Sequence, residues 1–139
     1  MRCNDSIIRP RYEETDQMGV IYHANYYRYF ECGRSEFLRS LGYTYKEIEA
    51  DGIIQPVVDS YCKYIKPAYY DEEIIIRTSI TQLKGIRLVF EYTILRKETE
   101  EILVTGKTTH TFVDINFKPV RYKNLPQKLK SILSEFVTG

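Results

Sequence analysis

One segment near the amino terminus carries residue types that can move protons or attack a carbonyl group. Asp16 supplies a carboxylate, Gly19 permits a tight turn, and His23 supplies an imidazole seven residues after the aspartate. The segment comes directly before an apolar repeat of helical spacing that begins near Asn25. Because the first N–H groups of a helix have no partner within it and lie at its positive end, they favour negative charge beside them. The segment is therefore the candidate chemical site, although Asp16 taken alone is also typical of an Asx turn.

A long helix is predicted to position this site. Asn25 is expected to cap its first turn, and Gly42 is expected to end it. Gly33 in its middle should cost about 1 kcal/mol relative to alanine, so another backbone is expected to approach closely there. The residues of its buried stripe recur at three- and four-residue steps: Tyr26, Phe30, Gly33, Phe37 and Leu41.

The rest of the chain is mostly predicted strand. Residues 6–12 are expected to form a short strand whose Pro10 favours a sheet edge, residues 45–50 a short helix, and a closing helix begins near Pro126. Runs rich in β-branched and aromatic residues predict four further strands, at 53–65, 73–83, 86–97 and 101–114. One long helix in the concave face of a curled antiparallel sheet of five or six strands buries every apolar stripe. The predicted fold is therefore α+β, of the hot-dog type, with a single domain over residues 1–139.

Composition narrows the function classes. The chain has 20 Lys and Arg against 19 Asp and Glu, and 43% of its residues are hydrophobic, which excludes a broadly basic nucleic-acid binder and a disordered chain. No apolar run is long enough to span a membrane and the start lacks a signal peptide, so a cytoplasmic protein is expected. Three cysteines without a C-x-x-C spacing and two histidines predict neither a disulfide framework nor a metal site. No cofactor is expected, and a domain of this size needs a partner subunit to hold a large substrate.

The same segment carries a resemblance to a known family. The spacing of Asp16, Gly19, His23, Asn25 and Tyr26 resembles the active-site signature of the 4-hydroxybenzoyl-CoA thioesterase family of hot-dog enzymes, and closely that of its YbgC-type acyl-CoA thioesterase branch. Similar segments follow at 67–74, 90–92, 106–110 and 118–121, so the resemblance covers most of the chain. It implies hydrolysis of the thioester bond of a small or medium acyl-CoA.

The resemblance also implies catalytic roles. Asp16 would be the catalytic carboxylate, which either attacks the thioester carbonyl or activates a water molecule. A positioned base contributes about 10²- to 10⁴-fold to the rate, and an oxyanion donor supplies roughly 2.7 to 4 kcal/mol. The donor would be a backbone N–H at the helix start, near Tyr22, His23 or Ala24. The ring of His23 would alternatively position a water molecule or the Asp16 carboxylate.

Further residues are expected to bind the substrate. Gly19 would shape the loop through a positive φ angle, and Asn25 would either cap the helix or contact the substrate. The acyl pocket is expected to be lined by Tyr26, Tyr29, Phe30, Val58 and Tyr61. The cations expected near the CoA phosphates are Lys84 and Arg87, together with Lys63, Lys66 and Arg121.

Two other interpretations stay open. A hot-dog dehydratase acting on hydroxyacyl thioesters has the same fold, but it pairs its histidine with a carboxylate from a separate element, whereas here the acid precedes His23 in one loop. A non-catalytic acyl-CoA or acyl-carrier binding module would keep the groove and tolerate the loss of Asp16. The resemblance favours the enzyme. It implies a homodimer or homotetramer with each site at a subunit interface. No nucleic-acid partner and no membrane span are expected.

Overall fold

The computed structural model describes residues 2–139 and consists of one antiparallel sheet with helices on one side. The strands are β1 (Cys3–Ile8), β2 (Val57–Tyr64), β3 (Ile74–Lys84), β4 (Arg87–Arg96) and β5 (Ile102–Thr111), and the helices are α1 (Asn25–Ser40), α2 (Tyr45–Ala50) and α3 (Gln127–Leu133). Across the sheet the order is β1, β3, β4, β5, β2. The sheet curls around α1, so the α+β hot-dog fold is confirmed, with five strands.

The long helix packs on the sheet through the predicted stripe. Tyr26, Phe30 and Phe37 are almost fully buried, while Leu41, which follows the last helical residue, is only half-buried. A Cβ atom at Gly33 would overlap the side chains of Thr78 and Ile76 on β3. The close approach expected at this glycine is therefore made by strand side chains rather than by another backbone.

The start of α1 differs from the prediction. Asn25 is the first helical residue, and Ala24, which has helical dihedral angles, occupies the cap position. The side-chain amide of Asn25 instead donates a hydrogen bond to the carbonyl of Glu14, at 2.8 Å. The expectation that Asn25 caps the helix is wrong, because its amide ties the helix to the preceding loop. Gly42, with φ of +90°, follows the helix as predicted.

The two edges of the sheet differ in chemical character. At one edge, β1 is joined to β3 by an ion pair in which Arg77 donates two hydrogen bonds of 2.9 Å to Asp5. At the other edge, β2 pairs with β5 along one side, and no strand within residues 2–139 lies along its other side. Its apolar side chains are about half exposed, with 56% exposure for both Val58 and Tyr61. A strand edge that is apolar and unpaired is a ready template for pairing with another strand.

A chain of polar side chains crosses the core beneath α1. Arg34 donates to the hydroxyl of Tyr92 at 3.1 Å, Tyr92 and Thr108 share a hydrogen bond of 2.6 Å, and Thr108 lies 2.9 Å from Nε2 of His110. The other ring nitrogen of His110 lies 3.1 Å from the carbonyl oxygen of Gln55. His110 is 1% exposed and is therefore a buried histidine. Burial, and then the charge of Arg34, lowers its pKa to about 4.

The C-terminal helix closes the open end of the core. Leu129, Leu133 and Phe136 are buried, and the ring of Phe136 lies 5.6 Å from that of Phe37 on α1. The helix was predicted to begin near Pro126, and it begins at Gln127 with Pro126 in the cap position. None of the helices within residues 2–139 has the length and apolar character needed to cross a bilayer.

Candidate active site

The loop before α1 folds into a tight hairpin that fixes the carboxylate of Asp16. The backbone N–H of Asp16 donates to the carbonyl of Val20 at 2.9 Å, and that of Gly19 donates to the carbonyl of Asp16 at 3.0 Å. Gly19 has φ of +78°, a conformation that side chains rarely adopt. Oδ1 of Asp16 accepts a hydrogen bond of 2.8 Å from the N–H of Met18, so Asp16 does form an Asx turn. Its second oxygen, Oδ2, accepts no hydrogen bond from residues 2–139 and stays available for chemistry.

Backbone hydrogen bonds hold this hairpin against the helix and the sheet. The N–H of Ile21 donates to the carbonyl of Ala68 at 2.9 Å. The carbonyl of Glu14 accepts from both the N–H of Tyr22, at 2.9 Å, and the side chain of Asn25, at 2.8 Å. Asn25 therefore acts through the loop, and its amide is engaged rather than turned to a substrate.

The turn that leads into α1 presents backbone donors without partners. The sequence predicts an oxyanion donor near Tyr22, His23 or Ala24. Of these, the N–H of Tyr22 already donates a hydrogen bond to the carbonyl of Glu14. The N–H groups of His23 and Ala24 donate to no acceptor within residues 2–139. These two groups lie at the positive end of the helix, where a developing negative charge is stabilised.

Asp16, His23 and Tyr26, which the sequence singles out, border one cavity of about 280 Å³. The lining residues are Asp16, Met18, Val20, Ile21, His23, Tyr26, Tyr64, Ile65, Lys66 and Pro67. Most of the wall is apolar or aromatic, and Asp16 is its one carboxylate. A mostly apolar cleft with a few polar groups at one end is typical of a small-molecule site.

Aromatic side chains form part of the cavity wall. The ring of Tyr64 lies 5.6 Å from that of Tyr26 and 5.9 Å from that of His23, and the ring of Tyr22 lies 4.6 Å from that of His23. Burial raises the pKa of Tyr26, and raises the pKa of Tyr64 to about 12. Both phenols therefore stay protonated near neutral pH. Tyr22 is 47% exposed and does not line the cavity.

Two residues expected in the acyl pocket lie in the core beneath it. Tyr29 is 2% exposed and packs against Tyr26 at 5.8 Å between ring centroids. Its hydroxyl has no hydrogen-bond partner within residues 2–139, and burial, together with the nearby Glu14 carboxylate, raises its pKa. Phe30 is stacked on Tyr92 at 4.4 Å. Tyr29 and Phe30 therefore support the wall that Tyr26 forms, and do not themselves line the cavity.

The strand residues expected in the pocket point elsewhere in this protomer. Tyr61 lies opposite Lys107 on β5, on the outer face of the sheet away from α1. Val58 lies in an irregularity of the β2–β5 register, between Val57 and Asp59. Tyr64 lines the cavity instead and was not predicted. Strict alternation along β2 from the half-buried Cys62 would have found it, because residues two apart share one face of a strand.

The cations expected near CoA are divided between the two ends of the sheet. Lys66 borders the cavity, and its ammonium is paired with the carboxylate of Glu101. Lys84 lies ten residues after Ile74, the first residue of β3, which is roughly 33 Å at about 3.3 Å per residue. Arg87, across the turn from Lys84, lies at the same far end. Within residues 2–139 no three His, Cys, Asp or Glu side chains are grouped so that they could hold a metal ion.

Comparison with known proteins identifies the family. The model of the thioesterase-like superfamily matches residues 10–133. YbgC of Escherichia coli O6:H1, an acyl-CoA thioester hydrolase, is 34% identical over 130 residues, which are 93% of this chain and 92% of that protein. YbgC of Haemophilus influenzae, an acyl-CoA thioesterase, is 28% identical over 89% of each chain.

A solved structure extends the comparison to three dimensions. The DHNA-CoA thioesterase of Staphylococcus aureus superposes with a TM-score of 0.91 and 34% sequence identity, over 97% of this chain and 91% of that one. Because 97% of this chain is covered, the match extends over nearly the whole fold. From its sequence, its fold and its matched length, this chain belongs to the thioesterase-like superfamily of hot-dog proteins.

Proposed function

We propose that this protein hydrolyses the thioester bond of a small or medium acyl-CoA and releases the free acid and CoA. The observation that carries the proposal is an available carboxylate oxygen on Asp16 at a cavity that His23 also lines, with the unengaged N–H groups of His23 and Ala24 in the turn beside it. The E. coli and H. influenzae relatives, which act on acyl-CoA, support the choice of substrate.

The same atoms can serve two routes. In the nucleophilic route, Oδ2 of Asp16 bonds to the thioester carbon, the C–S bond breaks, CoA leaves as the thiolate, and water then cleaves the mixed anhydride. In the general-base route, Asp16 takes a proton from water while the water oxygen bonds to that carbon; the C–S bond then breaks and the proton passes to the thiolate. In both routes the N–H groups of His23 and Ala24 stabilise the tetrahedral oxyanion.

An isotope experiment separates the routes. After many turnovers in H₂¹⁸O, the nucleophilic route incorporates ¹⁸O into the Asp16 carboxylate, because water can attack either carbonyl of the anhydride. The general-base route leaves Asp16 unlabelled. Mass spectrometry of the peptide that contains Asp16 measures the difference.

We propose that the ring of His23 orders the attacking water rather than exchanging protons with CoA. The ring is exposed at the cavity mouth and is flanked by Tyr22 and Tyr64, which restrict its rotation. Replacement of His23 by Asn, which keeps a hydrogen-bonding group of similar reach, should retain more activity than replacement by Ala.

We further propose a homodimer in which β2 pairs antiparallel with the same strand of a second copy. A twofold axis relates two identical strands in this way, and the unpaired apolar edge of β2 supports it. The partner's Val58 would then border the cavity near Tyr64. In the second copy, β4 and β3 would be the third and fourth strands from this β2. At about 4.8 Å per strand, the partner's Arg87 and the partner's Lys84 would therefore lie about 15 to 20 Å from this β2, at the end of the sheet nearer the cavity. There they can meet the CoA phosphates, and a homotetramer would consist of two such dimers.

An aromatic acyl group is the form of the substrate that we favour. Tyr26, Tyr64 and His23 give the cavity three aromatic walls, and ring–ring contacts add about 0.5 to 1.5 kcal/mol beyond the area that they bury. The S. aureus relative, which acts on DHNA-CoA, supports this choice. A panel scored by kcat/KM tests it: benzoyl- and naphthoyl-CoA should exceed straight-chain acyl-CoA substrates of equal carbon number. An equal or reversed preference would refute the proposed aromatic specificity but not the proposed hydrolase activity.

Two further assays with thioester substrates separate the rival functions. A binding module would give heat on titration with acyl-CoA in a calorimeter and no thiol release. A dehydratase would hydrate an enoyl thioester, which is read from the loss of absorbance of the conjugated bond. Thiol release at a rate well above the uncatalysed one, with neither of those results, is the outcome expected here.

A further inference from the structure

Tyr64 joins the edge strand to the turn that carries the proposed oxyanion donors. It is the last residue of β2, and its hydroxyl lies 3.4 Å from the carbonyl oxygen of His23. Its ring also contacts the rings of His23 and Tyr26, at 5.9 and 5.6 Å. One side chain therefore contacts both the ring and the backbone carbonyl of His23.

That carbonyl belongs to the same planar peptide unit as the N–H of Ala24. Within the chain it accepts a second hydrogen bond, from the N–H of Tyr26 at 3.3 Å, which is long for a helical bond. Donors on a carbonyl polarise the peptide unit and strengthen its N–H as a donor. The N–H of Ala24 is one of the two groups in this turn that have no acceptor within residues 2–139, so it is the group that gains from the contact.

We infer that Tyr64 is a positioning residue for the proposed hydrolysis, whose hydroxyl fixes and polarises the His23–Ala24 peptide so that its N–H meets the thioester oxyanion. This inference rests on the proposed function. Tyr64 does not itself exchange a proton in the reaction. Its high pKa, about 12, keeps it a neutral donor across the range in which the enzyme would work.

Replacement of Tyr64 by Phe removes the hydroxyl and keeps the ring contacts. We expect kcat to fall about threefold to tenfold, the effect of one neutral hydrogen bond, while KM changes by less than about twofold. The pH dependence of kcat should keep its shape, because the phenol that is lost titrates only near pH 12. Tyr70→Phe is the matched control, since Tyr70 is 50% exposed, contacts Tyr12 and does not line the cavity.

A second readout is independent of activity. Loss of a hydrogen bond to the His23 carbonyl should move the backbone ¹⁵N resonance of Ala24 upfield in Tyr64→Phe and leave it in place in Tyr70→Phe. Unfolding midpoints measured on the same samples show whether the fold is intact.

The outcomes separate this inference from the proposed function. If the wild-type protein hydrolyses the thioester, and Tyr64→Phe changes neither kcat nor the Ala24 resonance, the role of Tyr64 alone is overturned. Loss of the alkaline side of the pH profile would also overturn it, because that result makes Tyr64 an acid catalyst. If the Ala24 resonance shifts in Tyr64→Phe but the wild-type protein hydrolyses no thioester, the contact between Tyr64 and the His23–Ala24 peptide stands and the proposed hydrolase function is refuted.

Discussion

Acidification should destabilise this protein through one buried histidine, and the direction of its hydrogen bonds explains why. A carbonyl oxygen can only accept, so Nδ1 of His110 donates to Gln55 and Nε2 accepts from the hydroxyl of Thr108. Thr108 in turn accepts from Tyr92, which accepts from Arg34. A proton on Nε2 would turn this nitrogen into a donor that faces the hydroxyl donor of Thr108, and it would add a second positive charge near Arg34. The folded protein therefore holds His110 neutral.

The magnitude follows from the pKa of His110. Its value falls from the ordinary 6.5 to about 4 in the folded state, so between these values the unfolded chain binds a proton that the folded chain does not. Stability therefore falls as the pH falls from about 6.5 towards 4. At about 1.36 kcal/mol per pKa unit the whole loss is about 3 kcal/mol, of which about 2 kcal/mol comes between pH 7 and pH 5. Lys66 and Arg96 lower the pKa of Glu101 from 4.5, so the stability that this carboxylate contributes is lost as the pH falls through 4.5 and below, which is under the range from pH 7 to pH 5.

Urea unfolding followed by far-ultraviolet circular dichroism measures this loss at pH 7, 6 and 5, with the protein concentration held constant because dimerisation would shift the midpoint. The chain has two histidines, so His23→Gln is the control that leaves His110 as the remaining one. We expect the same loss of about 2 kcal/mol in the wild type and in His23→Gln. A free energy of unfolding that is flat from pH 7 to pH 5, or a slope that disappears in His23→Gln, would refute the assignment to His110.

Three further predictions test the packing, the assembly and the CoA contact. Gly106→Ala should lower the free energy of unfolding by about 1 to 3 kcal/mol, because the new Cβ atom would overlap the ring of Phe30, and a urea melt measures it. Val58→Asp should convert the dimer to a monomer in analytical ultracentrifugation and reduce thiol release, because it buries a charge at the proposed seam. Replacing both Lys84 and Arg87 by Ala should raise KM for acyl-CoA with little change in kcat, and the wild-type KM should rise with salt while that of the double variant does not.

Each of these three has a control and a contrary result. Lys107→Ala, next to Gly106 but on the outer face, should leave stability within about 0.5 kcal/mol, and an equal loss there would contradict the packing argument. Ser60→Asp places the same charge on the same strand, and it should also dissociate the dimer, whereas Asp5→Ala on the opposite edge should not. If wild-type protein sediments as a monomer and is fully active, the partner has no part in the site. An unchanged KM in the double variant would exclude these cations from CoA binding.

Local patterns were sufficient to predict much of the fold. The helical spacing from Tyr26 to Phe37 predicts α1 because residues three and four apart share a face whatever surrounds them. The strand runs were predicted too long, for example 101–114 against Ile102–Thr111, because residue preference does not reveal where a neighbouring strand ends.

The site itself depends on contacts that a local pattern does not contain. Asn25 has the residue type of a cap, yet its amide reaches Glu14, eleven residues earlier, and only the folded loop reveals that partner. Tyr61 was expected in the pocket and Tyr64 was not, yet Tyr64 shares the face of the half-buried Cys62, and a difference of one residue exchanges the faces of a strand. Grouping of Asp16 with His23 was predictable, because both lie in one short loop.

The central claim is that the carboxylate of Asp16 carries out thioester hydrolysis, and Asp16→Asn tests it most directly. The amide keeps an oxygen that can accept from the N–H of Met18, so the loop should keep its turn and the unfolding midpoint should not change. Thiol release from the best acyl-CoA substrate, measured under saturating conditions, should fall by at least about 100-fold, since the amide is neither a nucleophile nor a base. A folded Asp16→Asn variant that releases thiol at the wild-type rate would contradict the account.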